Sequence, residues 1–273
     1  MIEIFISTLP LFAASYLSCL LSASMLAISG FVLVGKKQEF LGASMSQASM
    51  LGIGIVVIFD WINAQYLTYV TSILLACLTS FWVYNKSGNS YASSVTAYLF
   101  IFFSAAVMVI IAISPHGMEE VKVLSSASLI GSSWSEVYWM AAINILILTL
   151  FWRYRRQVFL YLVDPQFLST CRINFDRFNY GAALLLGVVI GTCLKVSGFL
   201  FTFGYLILPV LCAKNLTDRY FHIPWLAIII AVVFGILGIC FSIIFDLPPG
   251  ATCVLLLSLA VPITVTIRNI LKA

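Results

Sequence analysis

Residues 180–213 read YGAALLLGVVIGTCLKVSGFLFTFGYLILPVLCA, a stretch whose single charge is Lys195. A water-soluble domain carries about 25 % charged residues, spread over its surface. This stretch cannot supply such a surface, and the same texture extends in both directions from it. Over all 273 residues, Lys and Arg number 14 and Asp and Glu number 10, so charged residues make up 9 % and hydrophobic residues 62 %. The solvent for most of this surface must be lipid. A helical crossing needs about 20 apolar residues, and marking such runs gives about nine candidates. They are approximately Leu9–Val34, Phe40–Phe59, Tyr66–Tyr84, Val95–Ser114, Val137–Trp152, Tyr180–Leu194, Gly198–Ala213, Trp225–Phe245 and Ala251–Ile267. Only helices or closed barrels satisfy the backbone in hydrocarbon, and continuous apolar runs without strand alternation select helices. The expected fold is an all-α polytopic integral membrane protein, with residues 1–273 as one transmembrane domain.

Tyr180–Leu194 and Gly198–Ala213 are short, and only Lys195-Val196-Ser197 separates them. One helix of their combined length would overshoot the bilayer. The spacing predicts either a tight outer turn or a break partway through the membrane. Gly198, Gly204 and Pro209 supply the residues that tolerate irregular backbone there.

The net charge of +4 comes without a long basic stretch, which argues against a nucleic-acid partner. The basic residues report orientation instead. Lys36, Lys37, Lys86, Arg153, Arg155, Arg156, Arg172, Arg177, Lys214, Arg219, Arg268 and Lys272 fall on one side of the counted spans, leaving Lys122 and Lys195 as the exceptions. Glu3, Asp60, Glu119, Glu120, Glu136 and Asp246 fall on the other side. The basic side is read as cytoplasmic, the N-terminus as outside and the C-terminus as inside. Glu3 in place of a basic flank, and a long first run, predict a retained first span rather than a cleaved signal.

Residues 153–179 form the longest hydrophilic segment, read as cytoplasmic with a short surface helix starting at Asp164-Pro165. Residues 115–136 form a Ser-rich outer segment, read as a solvated loop. Gly187-x-x-x-Gly191 and Ala23-x-x-x-Ala27 predict tight packing between helices of this chain. The seven cysteines show no C-x-x-C spacing and read as small apolar interface residues.

No catalytic constellation is visible. His116 and His222 fall on opposite sides of the membrane, and Gly35-Lys36-Lys37 lacks the glycine and Ser/Thr of a phosphate-binding loop. The informative polar residues lie inside the second span, LGASMSQASMLGIG at 41–54. Ala43, Gln47 and Met50 recur at helical spacing on one face, with Ser46, Ser49 and Gly42 close by. Two readings fit equally: hydrogen bonding between packed helices, or the lining of a translocation path.

That stretch resembles the LGDALSHAVLPG-type signature of permeases in the manganese/zinc/iron class of ABC importers. Three more segments match in order. DPQFLSTCRINFDRFN at 164–179 resembles the family's DPEFA-x-x-x-G, LKVSGFLFTFGYLILPVLCAKNL at 194–216 its LKVVGxLLxxALLxxPAxxA, and DLPPGATCVLLLSLAV at 246–261 its DxPxGAxIVL. The resemblance implies a permease subunit, itself not an enzyme and without a cofactor of its own, in the cytoplasmic (inner) membrane. It implies a second permease subunit, identical or different, ATP on separate ABC ATPase subunits, and an extracytoplasmic binding protein that delivers the divalent metal. Asp164, Pro165, Gln166 and Phe167 would begin the element that docks on the ATPase. Ala43, Ser46, Gln47, Met50 and Asp246 would line the path.

One departure stands out. The family signature places Asp and His four residues apart, on one helix face, as ligands for a divalent ion. Here those positions are Ala43 and Gln47. Asp246 and the neutral Gln47 carbonyl remain as weak metal ligands. The change suggests a pairing with a different permease that supplies the ligands, or a changed substrate such as a chelated metal. The rival class is a self-contained secondary transporter or channel, against which stand the missing buried acid pairs and the long cytoplasmic segment.

Overall fold

The computed structural model describes residues 13–58, 65–85, 92–113, 131–163 and 175–272. These form eight helices: α1 (Ala13–Gly35), α2 (Glu39–Ile58), α3 (Gln65–Asn85), α4 (Ala92–Ile113), α5 (Trp134–Val163), α6 (Phe175–Leu216), α7 (Ile223–Phe245) and α8 (Pro249–Lys272). There is no strand among the described residues. Seven of the helices are long and apolar enough to cross a membrane, and α2 is the one left out. It carries Ser44, Ser46, Ser49 and Gln47 among its apolar residues.

Helix α6 holds the resolution of the paired runs. Gly198 sits at φ 78°, ψ 170°, a backbone region open in practice to glycine alone, while residues on both sides are helical. Neighbour contacts show that the chain turns back there. Before the break, Gly187 packs on Cys77 and Gly191 on Ile73, so this arm runs antiparallel to α3. Asn179, near its start, meets Lys36 at the end of α1. After the break, Leu206 lies against Gly30, and Val210 and Lys214 line a cavity with Val34, Gly35 and Lys37. The second arm therefore runs parallel to α1 and returns to the end where the first began. Element α6 is a helical hairpin with its tip at 195–198. Gly204 and Pro209 stay inside the helical second arm, and Gly204 serves the close approach of Val254 of α8 instead of a break.

The hairpin is the centre of the bundle. It packs on α3, α1, α8, α2 and α7. Phe201 and Tyr205, fully buried, stack at 4.0 Å between centroids. The Gly187/Gly191 ladder is spent on α3, within the chain, as expected of such small-residue spacing. Ala23 and Ala27 are likewise fully buried. Outside this centre, α4, α5, α7 and α8 turn large apolar side chains outward, among them Ile101, Met108, Ile145, Trp152, Ile229 and Leu255. In water such a surface would aggregate; in lipid it is solvated.

The sequence boundary at Arg153 moves. Residues 153–163 are not a separate hydrophilic segment but the last three turns of α5. Arginine is a good helix former, and Phe159 and Tyr161 are buried in this extension while Arg153, Arg155 and Arg156 are exposed. The expected helix start at Asp164-Pro165 lies outside the described residues. The other end of α5 opens with Ser133 and Glu136 in a reciprocal capping box: the Ser133 amide donates to Glu136 Oε2 at 3.1 Å, and the Glu136 amide to Ser133 Oγ at 3.4 Å.

Candidate functional site

Helix α2 reads polar yet is buried all round from Leu41 to Met50. It lies between α3, α4 and α6. Small residues let the backbones meet: a Cβ on Gly52 would stand 2.7 Å from the Thr71 carbonyl oxygen of α3. The serines are self-satisfied or bridging. Ser44 and Ser46 donate back to Leu41 and Gly42 of their own helix, at 2.9 and 2.8 Å. Ser49 instead donates to the Ser72 carbonyl of α3 at 3.1 Å, and Ser72 donates to the Gly191 carbonyl of α6 at 3.1 Å. These bonds tie the polar helix to the hairpin through α3. Ser49 is thus a contact between packed helices, one of the two readings of the second span, and Gln47 is buried at 8 % exposure.

The candidate path residues Ala43, Ser46, Gln47 and Met50 are together on this helix, all buried. Met50 and Ile53 pack against Leu194 beside the hairpin tip and Val107 of α4. Asp246 is elsewhere. It is exposed and forms the left-handed C-cap of α7 at φ 53°, ψ 41°, its amide donating to the Ser242 carbonyl. Helices α7 and α8 pack on α1, α6 and each other, on the side of the bundle away from α2. One chain therefore does not bring Asp246 to Gln47. Among the described residues, no group of three or more His, Cys, Asp or Glu side chains could hold a metal ion. Asp164, Pro165, Gln166 and Phe167 lie outside the described residues.

Two clusters escaped the sequence reading, which used their lysines only as topological markers. At one end of the bundle, Lys36 Nζ lies 4.0 Å from the Tyr161 ring centroid and 4.3 Å from that of Tyr84. It donates to Asn179 Oδ1 at 2.8 Å, and the Tyr161 hydroxyl donates to the same oxygen. Burial pushes the Lys36 ammonium down to about 7. At the other end, Lys195 Nζ stands 3.7 Å from the Tyr69 ring centroid, and the Tyr69 hydroxyl donates to Glu136 Oε1 at 3.1 Å. Here the hairpin tip is fastened to α3 and to the capping box of α5. Lys and Tyr far apart in sequence carry no local signal, so only the fold could pair them. The same holds for Cys19 and Cys253, both fully buried and both packed on Gly235 although no C-x-x-C spacing exists.

A helix rich in small and uncharged polar residues, held inside an all-helical bundle with a lysine cluster at each end, is the architecture of a polytopic membrane protein. The chain belongs to the ABC 3 transport family, whose model matches residues 9–268. It is 26 % identical over 256 residues to the manganese transport system membrane protein MntC of Halalkalibacterium halodurans, covering 91 % of this chain and 86 % of that one. It is 29 % identical over 133 residues to a Haemophilus influenzae protein named a probable iron transport system membrane protein, 49 % of each chain. The solved structure of PsaBC from Streptococcus pneumoniae in complex with Fab superposes with a TM-score of 0.83 at 17 % identity, over 97 % of this chain and 95 % of that chain. That likeness is one of fold.

Proposed function

We propose that this chain, over residues 1–273, is the membrane permease subunit of an ABC importer for a divalent transition metal, manganese, zinc or iron. The observation that carries the reading is the buried polar helix α2 within a chain of this family, matched by the names of its manganese and iron relatives. The chain crosses the cytoplasmic membrane nine times: α2 and the two arms of α6 each count as a crossing. The end holding Lys36, Lys214 and Arg268 is cytoplasmic, as is the C-terminus, and the N-terminus is outside. Ala43, Ser46, Gln47 and Met50 line the path. Gln47 and Asp246 each offer a weak donor to the ion, at separate places along the subunit rather than in one shared site. ATP is bound and hydrolysed on separate ATPase subunits that dock on the segment beginning Asp164-Pro165-Gln166-Phe167. An extracytoplasmic binding protein delivers the ion, and a second permease subunit completes the path.

Two measurements test this. Reporter fusions after Lys86 and after Glu120 report opposite compartments, cytoplasmic and external; the same compartment for both contradicts the nine-crossing topology. Purification of the tagged chain from native membranes brings down an ATPase subunit; its consistent absence favours the self-contained secondary transporter.

A further inference from the structure

We propose that Lys36 is a positioning residue for coupling: it fastens the corner between α1 and the path helix α2 to the two residues that bracket the cytoplasmic connection between α5 and α6. The inference rests on the reading that the ATPase docks on that connection.

The argument begins with the corner. Helix α1 ends with Lys37 in the left-handed region, at φ 57°. The Gln38 amide reaches back to the Leu33 carbonyl at 3.0 Å and the Lys37 amide to that of Val34 at 3.2 Å, the pattern of a Schellman turn. The Leu41 amide then donates to the Gln38 carbonyl at 2.9 Å, so α2 begins without slack. A non-glycine residue rarely adopts this conformation, which is strained. The geometry it secures aims Lys36 into the bundle. A displacement of Lys36 is therefore a displacement of the first turn of α2, and the helix carries it to Ala43 and Gln47.

Next come the partners. Tyr161 is two residues from the end of α5 at Val163, and Asn179 is about one turn into α6. Asn179 Oδ1 accepts from both the Tyr161 hydroxyl and Lys36 Nζ, so one oxygen joins α5, α6 and the α1–α2 corner. Tyr84 adds the end of α3. The charge is held by two ring faces and a neutral amide, which gives attraction without a carboxylate to compete for the ion. Removing Lys36 leaves the Tyr161–Asn179 bond in place. The two flanking residues keep their bond to each other, and what is lost is the direct tie of the α1–α2 corner to them. That asymmetry separates a transmitting residue from a merely structural one.

The experiment uses the complete complex of permease, ATPase and binding protein in proteoliposomes. The number of ATP molecules hydrolysed per metal ion imported is compared for wild type, K36R and K36M. K36M retains the ATPase on purification and hydrolyses ATP, but its ratio rises at least about fivefold, the low end of typical coupling between sites. K36R, which keeps the charge over the tyrosine rings, stays near the wild-type ratio. A K36M ratio equal to wild type overturns the inference, as does a parallel fall in hydrolysis and transport that leaves the ratio fixed. Should K36M fail to assemble, K36Q is read in the same way. A wild-type complex with no ATP-dependent import refutes the proposed function instead, so the two failures are distinguishable.

Discussion

The Ser72 hydroxyl donates to the Gly191 carbonyl at 3.1 Å, while the Ser72 carbonyl accepts from Ser49. One residue of α3 thus joins α2 to the first arm of the hairpin. Interhelical bonds of this kind average about 0.6 kcal/mol and reach about 1.7 kcal/mol. Ser72→Ala should lower stability within that range, read as a small fall in the thermal midpoint of the detergent-solubilised protein. Gly191→Leu should do far more, because even a Cβ there would stand 2.8 Å from Ile73 Cα. Equal midpoints for the two variants would refute this contact.

The hairpin tip gives a sharper contrast. Gly198 holds φ 78°, ψ 170°, where a side chain is strained whatever the space. Gly198→Ala should destabilise by about 1–3 kcal/mol. Gly181→Ala, in the same helix with nothing within 4 Å of its new Cβ, should be neutral or stabilise by about 0.5–1 kcal/mol through helix propensity. A reversed order in thermal stability would remove the turn at Gly198.

How far the sequence already spoke can be judged from these residues. The reversal at 195–198 was legible, because two short runs and a Lys-Val-Ser-Gly junction fit a turn better than one long helix. The nine apolar runs all coincide with helix in the described residues. What was illegible has a common cause. Lys36 with Tyr84, Tyr161 and Asn179, and Lys195 with Tyr69 and Glu136, pair residues whose separation in sequence exceeds any local period. The end of α5 was misread at Arg153 for a different reason: hydropathy marks the edge of the hydrocarbon, whereas the helix continues past it as long as propensity and buried contacts such as Phe159 and Tyr161 support it. Asp246 looked like a ligand beside the last span, and its left-handed cap geometry became visible only with the turn itself.

Lys36 also predicts a pH dependence. An unfolded lysine titrates near about 10.4. In the folded protein burial brings it to about 7, and the groups packed on it, Tyr84, Tyr161 and Asn179, are uncharged at neutral pH. Between these values the unfolded chain binds the extra proton, so stability rises with pH. The unfavourable contribution is complete below about 7 and is relieved as the pH climbs from there. The thermal midpoint of wild type, minus that of K36M, should therefore increase between about pH 6 and pH 9. A flat or falling difference would contradict the burial of this ammonium.

The weak ligand set predicts poor metal retention by one kind of subunit. Ala43 and Gln47 lie four residues apart on a buried helix, where Asp and His would project together. The purified homodimer should hold Mn²⁺ or Zn²⁺ weakly, and the A43D/Q47H double variant should hold it more tightly, because carboxylate oxygen and imidazole nitrogen suit these ions better than a neutral amide. Metal content after dialysis measures both. Tight binding by the unmodified protein would show that other residues provide the ligands.

The most direct test of transport itself is uptake of radiolabelled Mn²⁺ into proteoliposomes carrying this chain with its co-purified subunits. Uptake should require ATP and the ATPase subunit and should stop when either is withheld. Uptake that proceeds without ATP, driven by an ion gradient across the vesicle, would contradict the account and identify a secondary transporter.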